Sequence, residues 1–208
     1  MKVVVFDVVG TLVEPWPRVS RAYAEAGRRQ GVELVEDVIA KRFAAAWRRQ
    51  EAIDAAATPA FATNRQREIE RWRGIVEDVF EQVPASGAIF ADLWEHFARP
   101  EAWRPLPEGV QLVEDLKRAG GEVALASNFD ERLFAIARMV EPLTFADHIF
   151  ASSELGWRKP APEFFREVER RLGRRPEELV LVGDDPLLDV AAARKAGWEA
   201  RAIAAAPV

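Results

Sequence analysis

Short runs of apolar residues alternate with longer helical patterns along most of the chain. The first run, Val3-Val4-Val5-Phe6, is rich in β-branched residues, which is typical of a parallel strand buried on both faces. Similar runs occupy residues 122–126, 148–151 and 179–182. Because helical patterns separate these runs, the order predicts an α/β fold with a Rossmann-like core and a parallel sheet.

The predicted helices between the apolar runs begin and end at residues that are typical of helix termini. One pattern covers about 108–118 and stops at Gly120-Gly121, and another follows Asp130. A third begins at Pro162, since proline suits the first helical turn, and ends at Gly173. A fourth covers about 186–195 and stops before Gly197.

Residues 14–104 differ from the rest because they contain no convincing strand. Apolar residues recur there at helical spacing, as in Ile69, Trp72, Ile75 and Val79. The stretch holds five of the seven tryptophans, which suits the core of a small helical domain. We therefore predict an all-helical insert of about four helices at 14–104, and a core domain formed by 1–13 and 105–208.

Charge and composition narrow the classes of function. The net charge is -5 with no long run of one sign, which argues against a nucleic-acid or membrane-surface partner. The chain has no cysteine and therefore no disulfide or thiolate metal site. Asp7 interrupts the apolar start, which argues against a signal peptide, and no apolar run reaches membrane-spanning length. We expect a cytoplasmic protein with a small-molecule partner; the oligomeric state is left open.

Polar residues follow each predicted strand. Ligands of parallel sheets bind beyond the carboxyl ends of the strands, so these residues form the candidate site. The strand exits carry Asp7 with Thr11, then Ser127-Asn128, then Lys159, and finally Asp184-Asp185. Each alone is ordinary turn or capping chemistry, but four such exits at one edge predict a functional site.

The charges of this edge predict a divalent cation. At least three carboxylates would meet there, and like charges so close raise one another's pKa or require a cation. Lys159 offsets one charge, and hard oxygen ligands favour Mg²⁺ for the rest. A carboxylate nucleophile beside a metal and a lysine is suited to phosphoryl transfer.

These motifs resemble those of the haloacid dehalogenase (HAD) superfamily over essentially the whole chain. Asp7-Val8-Val9-Gly10-Thr11-Leu12 is similar to its first motif, and Ser127-Asn128 to its second. Lys159, within Arg158-Lys159-Pro160, is similar to the third, and the acidic run from Gly183 to Asp189 to the fourth. The helical insert corresponds to the cap domain of that superfamily.

The resemblance implies a role for each site residue. Asp7 would be the nucleophile that forms an aspartyl-phosphate, and Lys159 the second catalytic residue. The phosphoryl oxygens would be bound by Thr11, Ser127, Asn128 and Lys159. Mg²⁺ would be bound by Asp7, the Val9 carbonyl and Asp184, with Asp185 as a further or water-mediated ligand. Asp189 would orient Lys159 or the loop, and a helix-surface acid is the alternative for that residue.

One residue departs from the pattern of the phosphatases. They usually carry an aspartate two residues after the nucleophile, where this chain has Val9. That aspartate transfers protons, which is typically worth about 10²–10⁴ in rate. We predict a Mg²⁺-dependent phosphatase acting on a small phosphorylated molecule.

Three alternatives stay open. A 2-haloacid dehalogenase-type hydrolase needs no proton for its leaving halide, and a weak or inactive module would bind phosphorylated ligands without turnover. Phosphonate-cleaving members use a cap lysine, for which Lys41 is the only candidate in the insert.

Overall fold

The computed structural model describes residues 2–203 and shows a mixed α/β protein. Met1 and residues 204–208 of the predicted core domain lie outside the described part. In chain order the elements are β1 (Val3–Phe6), β2 (Val13–Pro15), α1 (Val19–Arg29), α2 (Glu36–Ala56), α3 (Arg65–Val79), α4 (Ser86–His96), β3 (Trp103–Pro105), α5 (Pro107–Arg118), β4 (Glu122–Ser127), α6 (Arg132–Ala137), β5 (His148–Ala151), α7 (Ser152–Leu155), α8 (Pro162–Leu172), β6 (Leu179–Gly183), α9 (Ala192–Lys195) and β7 (Glu199–Ala202).

Five strands form a parallel sheet in the order β5-β4-β1-β6-β7. The central strand β1 places Val3 and Val5 in the apolar cluster on one face, and Phe6 in the cluster on the other. This two-sided burial explains why the sequence of β1 is continuously apolar. The predicted α/β fold with a Rossmann-like core and a helical insert is confirmed.

Strand β7 was not predicted. Its sequence, Glu199-Ala200-Arg201-Ala202, has no apolar run, and only Ala200 is buried. The strand lies at the sheet edge and pairs with β6 alone. An edge strand exposed to solvent needs little apolar surface, so the rule that found the other four strands could not find this one.

A two-stranded antiparallel ribbon stands where the chain leaves and re-enters the core. Val13 of β2 pairs with Pro105 of β3, and Pro15 pairs with Trp103. The expectation that 14–104 contains no strand was therefore wrong at both ends of that stretch. Three-residue strands containing proline carry almost no sequence signal, and proline is tolerated because each is an edge. We propose that the boundary between core and cap falls at this ribbon.

The helices α1 to α4 pack around an apolar cluster of their own. Tyr23 and Phe80 stack with ring centroids 6.2 Å apart, and Trp47 lies 5.8 Å from Trp72. The insert thus has its own core, as the tryptophan content suggests. None of the helices within residues 2–203 combines the length and the apolar character needed to cross a bilayer.

A buried ionic network joins this helical layer to the loop that precedes Lys159. Arg158 donates to both carboxylate oxygens of Glu68 on α3, at 2.7 and 2.9 Å, and Thr63 donates to the same carboxylate at 2.8 Å. Arg71 pairs with Asp54 beside them. The side chains of Glu68, Arg71 and Arg158 are no more than 2% exposed.

Backbone hydrogen bonds reinforce this junction. The Thr63 N–H donates to the Gly156 carbonyl, and the Arg158 N–H donates to the Phe61 carbonyl, both at 2.9 Å. Burial alone would raise the pKa of Glu68, but Arg158 and the Thr63 hydroxyl hold it below its usual range. The carboxylate is therefore charged in the folded protein, and the helical layer is fixed to the residue next to Lys159.

Glu68→Gln is expected to lower the free energy of unfolding at neutral pH by about 3 kcal/mol, because removing one partner of a buried pair leaves the other charge uncompensated. Glu95→Gln is the matched control, since Glu95 pairs with Arg99 at the exposed surface; its effect should stay below about 1 kcal/mol. Denaturant unfolding measures both.

The pH dependence provides a second check. Because the folded-state pKa of Glu68 is depressed from 4.5, its contribution is complete above the unfolded value and is lost as the pH falls through the folded value. The stability gap between wild type and Glu68→Gln should therefore narrow on acidification below pH 4.5. An unchanged gap would show that the charge of Glu68 is not what stabilises the junction.

Candidate active site

The strand exits meet around Asp7, which follows β1. The Asp7 N–H extends the ladder to β6 by donating to the Val182 carbonyl at 2.9 Å, which fixes the backbone. Its carboxylate Oδ1 accepts hydrogen bonds from Lys159 Nζ at 2.6 Å and from Ser127 Oγ at 3.0 Å. The structure thus brings together three residues that the sequence places 120 and 152 positions apart.

Lys159 is buried between two carboxylates. Its ammonium group donates to Asp7 and to Asp189 Oδ1, each at 2.6 Å, and to the Ala126 carbonyl at 3.3 Å. Burial alone would lower the pKa of Lys159, but Asp7 and Asp189 raise it, so the ammonium stays charged. The contact with Asp189 agrees with the predicted orienting role of that residue.

The side chain of Asn128 makes two hydrogen bonds to the main chain of Lys159. The amide Nδ2 donates to the Lys159 carbonyl at 3.0 Å, while Oδ1 accepts from the Lys159 N–H at 2.7 Å. Its side chain therefore positions the lysine on the Asp7 carboxylate. Direct contact of Asn128 with a phosphoryl oxygen stays a prediction.

Thr11 positions Asp184 in a similar way, through two hydrogen bonds. Its hydroxyl donates to Asp184 Oδ1 at 2.9 Å and accepts from the Asp184 N–H at 3.1 Å. The side chain is 1% exposed, so its contacts fix the carboxylate that follows β6. Binding of a phosphoryl oxygen by Thr11 stays a prediction.

Glycine is required next to these carboxylates. Gly10 has a φ of +90°, and a β-carbon there would collide with the carboxylate of Asp184. A β-carbon on Gly183 would collide with the carboxylate of Asp189. Both glycines of the predicted motifs thus allow the carboxylates to approach the site.

Three carboxylates form the acidic group at the sheet edge. One oxygen from each of Asp7, Asp184 and Asp189 lies within 4.8 Å of the others. Burial raises the pKa of Asp7 to about 7 against the field of Lys159, and burial also raises the pKa of Asp184. Three acids with one ammonium leave uncompensated negative charge, and hard oxygen donors suit Mg²⁺. The residues present therefore fit the predicted cation.

Asp185 is not part of this group. Its carboxylate Oδ1 accepts from the N–H groups of Leu187 and Leu188, at 2.7 and 2.8 Å, and so caps the π-helical segment Pro186–Ala191. The sequence predicts Asp185 as a further or water-mediated ligand and Asp189 as an orienting residue; in the structure Asp189 is the one that lies within the acidic group. A contribution by Asp185 through water, and by the Val9 carbonyl, stays a prediction.

Val9 lies at the boundary between this edge and a cavity of about 500 Å³ under the helical layer. Val9 and Asn128 both line the cavity. The isopropyl group of Val9, two residues after Asp7, holds no transferable proton. Val9 therefore cannot act as an acid or base beside the cavity. Lys41, the predicted alternative in the insert, is exposed on α2.

The haloacid dehalogenase-like hydrolase family matches residues 1–197, nearly the whole chain. The chain belongs to this family. Among its relatives, the mouse haloacid dehalogenase-like hydrolase domain-containing protein 3 is 28% identical over 98% of this chain and 82% of its own length. A phosphoserine phosphatase of Thermus thermophilus is 29% identical over 96% of this chain and 87% of its own length.

A solved structure shows the same fold. The defluorinating L-2-haloacid dehalogenase Rha0230 superposes with a TM-score of 0.76, covering 96% of this chain and 80% of that one, at 22% identity. At that identity the likeness concerns the fold alone. Membership of the family confirms the resemblance drawn from the four motifs.

Asp185→Ala is expected to lower the free energy of unfolding by about 1 kcal/mol, the usual loss for an N-cap carboxylate. Asp37→Ala, at an exposed position in the first turn of α2, is the control and should change stability by less than about 0.5 kcal/mol. Thermal unfolding with and without Mg²⁺ measures both. Loss of a Mg²⁺-dependent rise in midpoint in Asp185→Ala would instead assign Asp185 to the metal.

Proposed function

We propose that this hydrolase is a Mg²⁺-dependent phosphatase that acts on a small phosphorylated molecule through an aspartyl-phosphate. The observation that carries the proposal is the Asp7 carboxylate, held by Lys159 and Ser127 within a group of three acids. Similarity to a phosphoserine phosphatase along nearly the whole chain supports it.

Each of the residues around Asp7 would have a separate role in phosphoryl transfer. Asp7 would attack phosphorus, and its fixed backbone and two hydrogen bonds orient the carboxylate for that attack. Lys159, kept charged by its acidic neighbours, and the Ser127 hydroxyl would bind phosphoryl oxygens. Asp7, the Val9 carbonyl and Asp184 would hold Mg²⁺, with Asp185 as a further or water-mediated ligand, and Mg²⁺ when bound would neutralise charge on the transferring group.

A second candidate is hydrolysis of a small 2-haloacid. Val9 favours it, because a halide departs without a proton. The acidic group opposes it, since attack of Asp7 on carbon creates no need for three carboxylates and a cation. Chelation of divalent ions separates the two reactions: phosphatase activity should disappear, whereas halide release should persist.

Asp7→Asn is expected to reduce Mg²⁺-dependent hydrolysis of acetyl phosphate about 1,000-fold or more, because an amide cannot form the intermediate. Asp115→Asn, on the exposed surface of α5, is the matched control and should retain wild-type turnover. Phosphate release with and without chelator measures the effect. Equal inactivity of wild type and Asp7→Asn over a panel of acyl and aryl phosphates would contradict the enzyme assignment and favour a binding module.

Val9→Asp is expected to raise turnover of alkyl phosphomonoesters by about 10²-fold or more, because it supplies a proton donor beside the leaving group. Val9→Asn introduces similar bulk and polarity without a titratable proton and should not raise turnover. Steady-state kinetics on phosphoserine distinguishes the two variants. Equal kcat values for wild type and Val9→Asp would show that the cap or the substrate, rather than Val9, limits the reaction.

A further inference from the structure

The cavity beside Val9 has aromatic walls. About half of the residues that line its 500 Å³ are aromatic, and they come from the helices of the cap and from the core. Many are only partly buried, so their rings present apolar surface to the cavity. They include Phe43, Trp47, Trp72, Trp94, Trp103 and Phe129. Such a lining favours a flat apolar ligand group.

Two of the three charged residues that line the cavity, Asp130 and Arg132, pair with each other; the third is Arg48. Arg132 donates from Nε and Nη2 to the two carboxylate oxygens of Asp130, both at 2.7 Å, and from Nη1 to the Trp94 carbonyl at 3.1 Å. Its guanidinium also lies 3.6 Å from the centroid of the Trp94 ring. A sugar or polyol in this cavity would lose hydrogen bonds to water without regaining them. The paired Asp130 and Arg132 and the aromatic walls therefore favour an apolar ligand group over a hydroxylated one.

The same cavity offers no proton to a leaving group. Val9 and Asn128 connect it to the catalytic edge, so a leaving group bound in it would depart next to Val9. Asp130 carries the one carboxyl among the described lining residues, and it is paired with Arg132. Burial raises the pKa of Tyr23 against the field of Arg132, so its phenol is a weak acid. Among the described lining residues, no unpaired carboxyl is therefore available to protonate the leaving oxygen, which favours its departure as an anion.

An aryl oxygen departs readily without a proton, whereas an alkyl oxygen does not. The pKa of a phenol such as tyrosine is about 10, whereas that of water, close to a simple alcohol, is about 16. Departure of an unprotonated phenolate is therefore far easier than departure of an alkoxide. The aromatic lining and the missing acid, two independent features, select the same chemical class.

We infer that the substrate is a monoaryl phosphate whose ring occupies the cavity beside Val9; this inference rests on the proposed phosphatase function. A bond forms between an Asp7 carboxylate oxygen and phosphorus while the bond from phosphorus to the aryl oxygen breaks. The electron pair leaves on that oxygen as phenolate. Water then attacks the aspartyl-phosphate, which returns the Asp7 carboxylate and inorganic phosphate, and the protons of that water pass to phosphate and solvent.

Three phosphate esters test the inference in the presence of Mg²⁺. The kcat/KM of wild type for 1-naphthyl phosphate should exceed that for phosphoserine by about 100-fold, the size of a missing acid contribution. Benzyl phosphate has an aromatic ring but an alkyl leaving oxygen. Its KM should resemble that of the aryl ester while its kcat should be about 100-fold lower. This split separates recognition of the ring from departure of the oxygen.

A pair of variants tests the place of binding. Ala44 and Ala45 are both exposed on α2, but only Ala44 lines the cavity among the described residues. Ala44→Phe should raise the KM for 1-naphthyl phosphate about 10-fold by filling the space of the ring, a usual penalty for a misfit in an apolar pocket. Ala45→Phe should leave it unchanged within twofold.

Binding without turnover supplies an independent readout. In Asp7→Asn, 1-naphthyl phosphate should quench tryptophan fluorescence because four tryptophans line the cavity, and phosphoserine should not. If acetyl phosphate is hydrolysed but the naphthyl ester is no better than phosphoserine, the inference is overturned and the phosphatase function stands. If acetyl phosphate is inert while quenching is saturable, aryl phosphate recognition stands and the proposed turnover fails. Absence of both overturns both.

Discussion

The buried ionic group of Asp7, Lys159 and Asp189 is the interaction on which the active edge depends. A carboxylate at the end of a central strand loses its hydration, which by itself drives the pKa up and favours the neutral form. Lys159 opposes that effect through an ammonium shared between two acids at 2.6 Å each. The two carboxylates keep the Lys159 ammonium charged, and Lys159 in turn opposes the effect of burial and of Asp189 on the pKa of Asp7.

The position of Lys159 is set from two sides of the molecule. Asn128, after β4, fixes its main chain within the core. Arg158, the preceding residue, is anchored by Glu68 on the cap helix α3. Because neighbouring residues of one short loop carry both contacts, the attachment of the cap and the geometry of the nucleophile are physically connected. The buried charges at this junction pair with one another, and such a buried network favours one arrangement of cap and core.

The cap also determines the chemistry available beside the nucleophile. It covers the active edge with aromatic side chains, while the core contributes Val9 where a proton donor would be useful. A largely apolar enclosure of this kind generally strengthens electrostatic interactions beside it, because it limits access of water. The inferred preference for an aryl leaving group connects this composition of the cap with the presence of Val9.

The sequence alone determined the order of strands and helices and which residues leave the strands at the active edge. The continuous apolar runs predict strands buried on both faces. The residues that come after these strands include the predicted site residues Asp7, Ser127, Lys159 and Asp184. Only tertiary structure decided that Asp189 rather than Asp185 joins the acidic group. Both lie in the same acidic motif, and their roles depend on the direction in which the chain turns after β6. The edge strand β7, the pairing of Arg158 with Glu68 and the aromatic cavity likewise depend on contacts between residues distant in the chain, which local patterns of hydrophobicity do not encode.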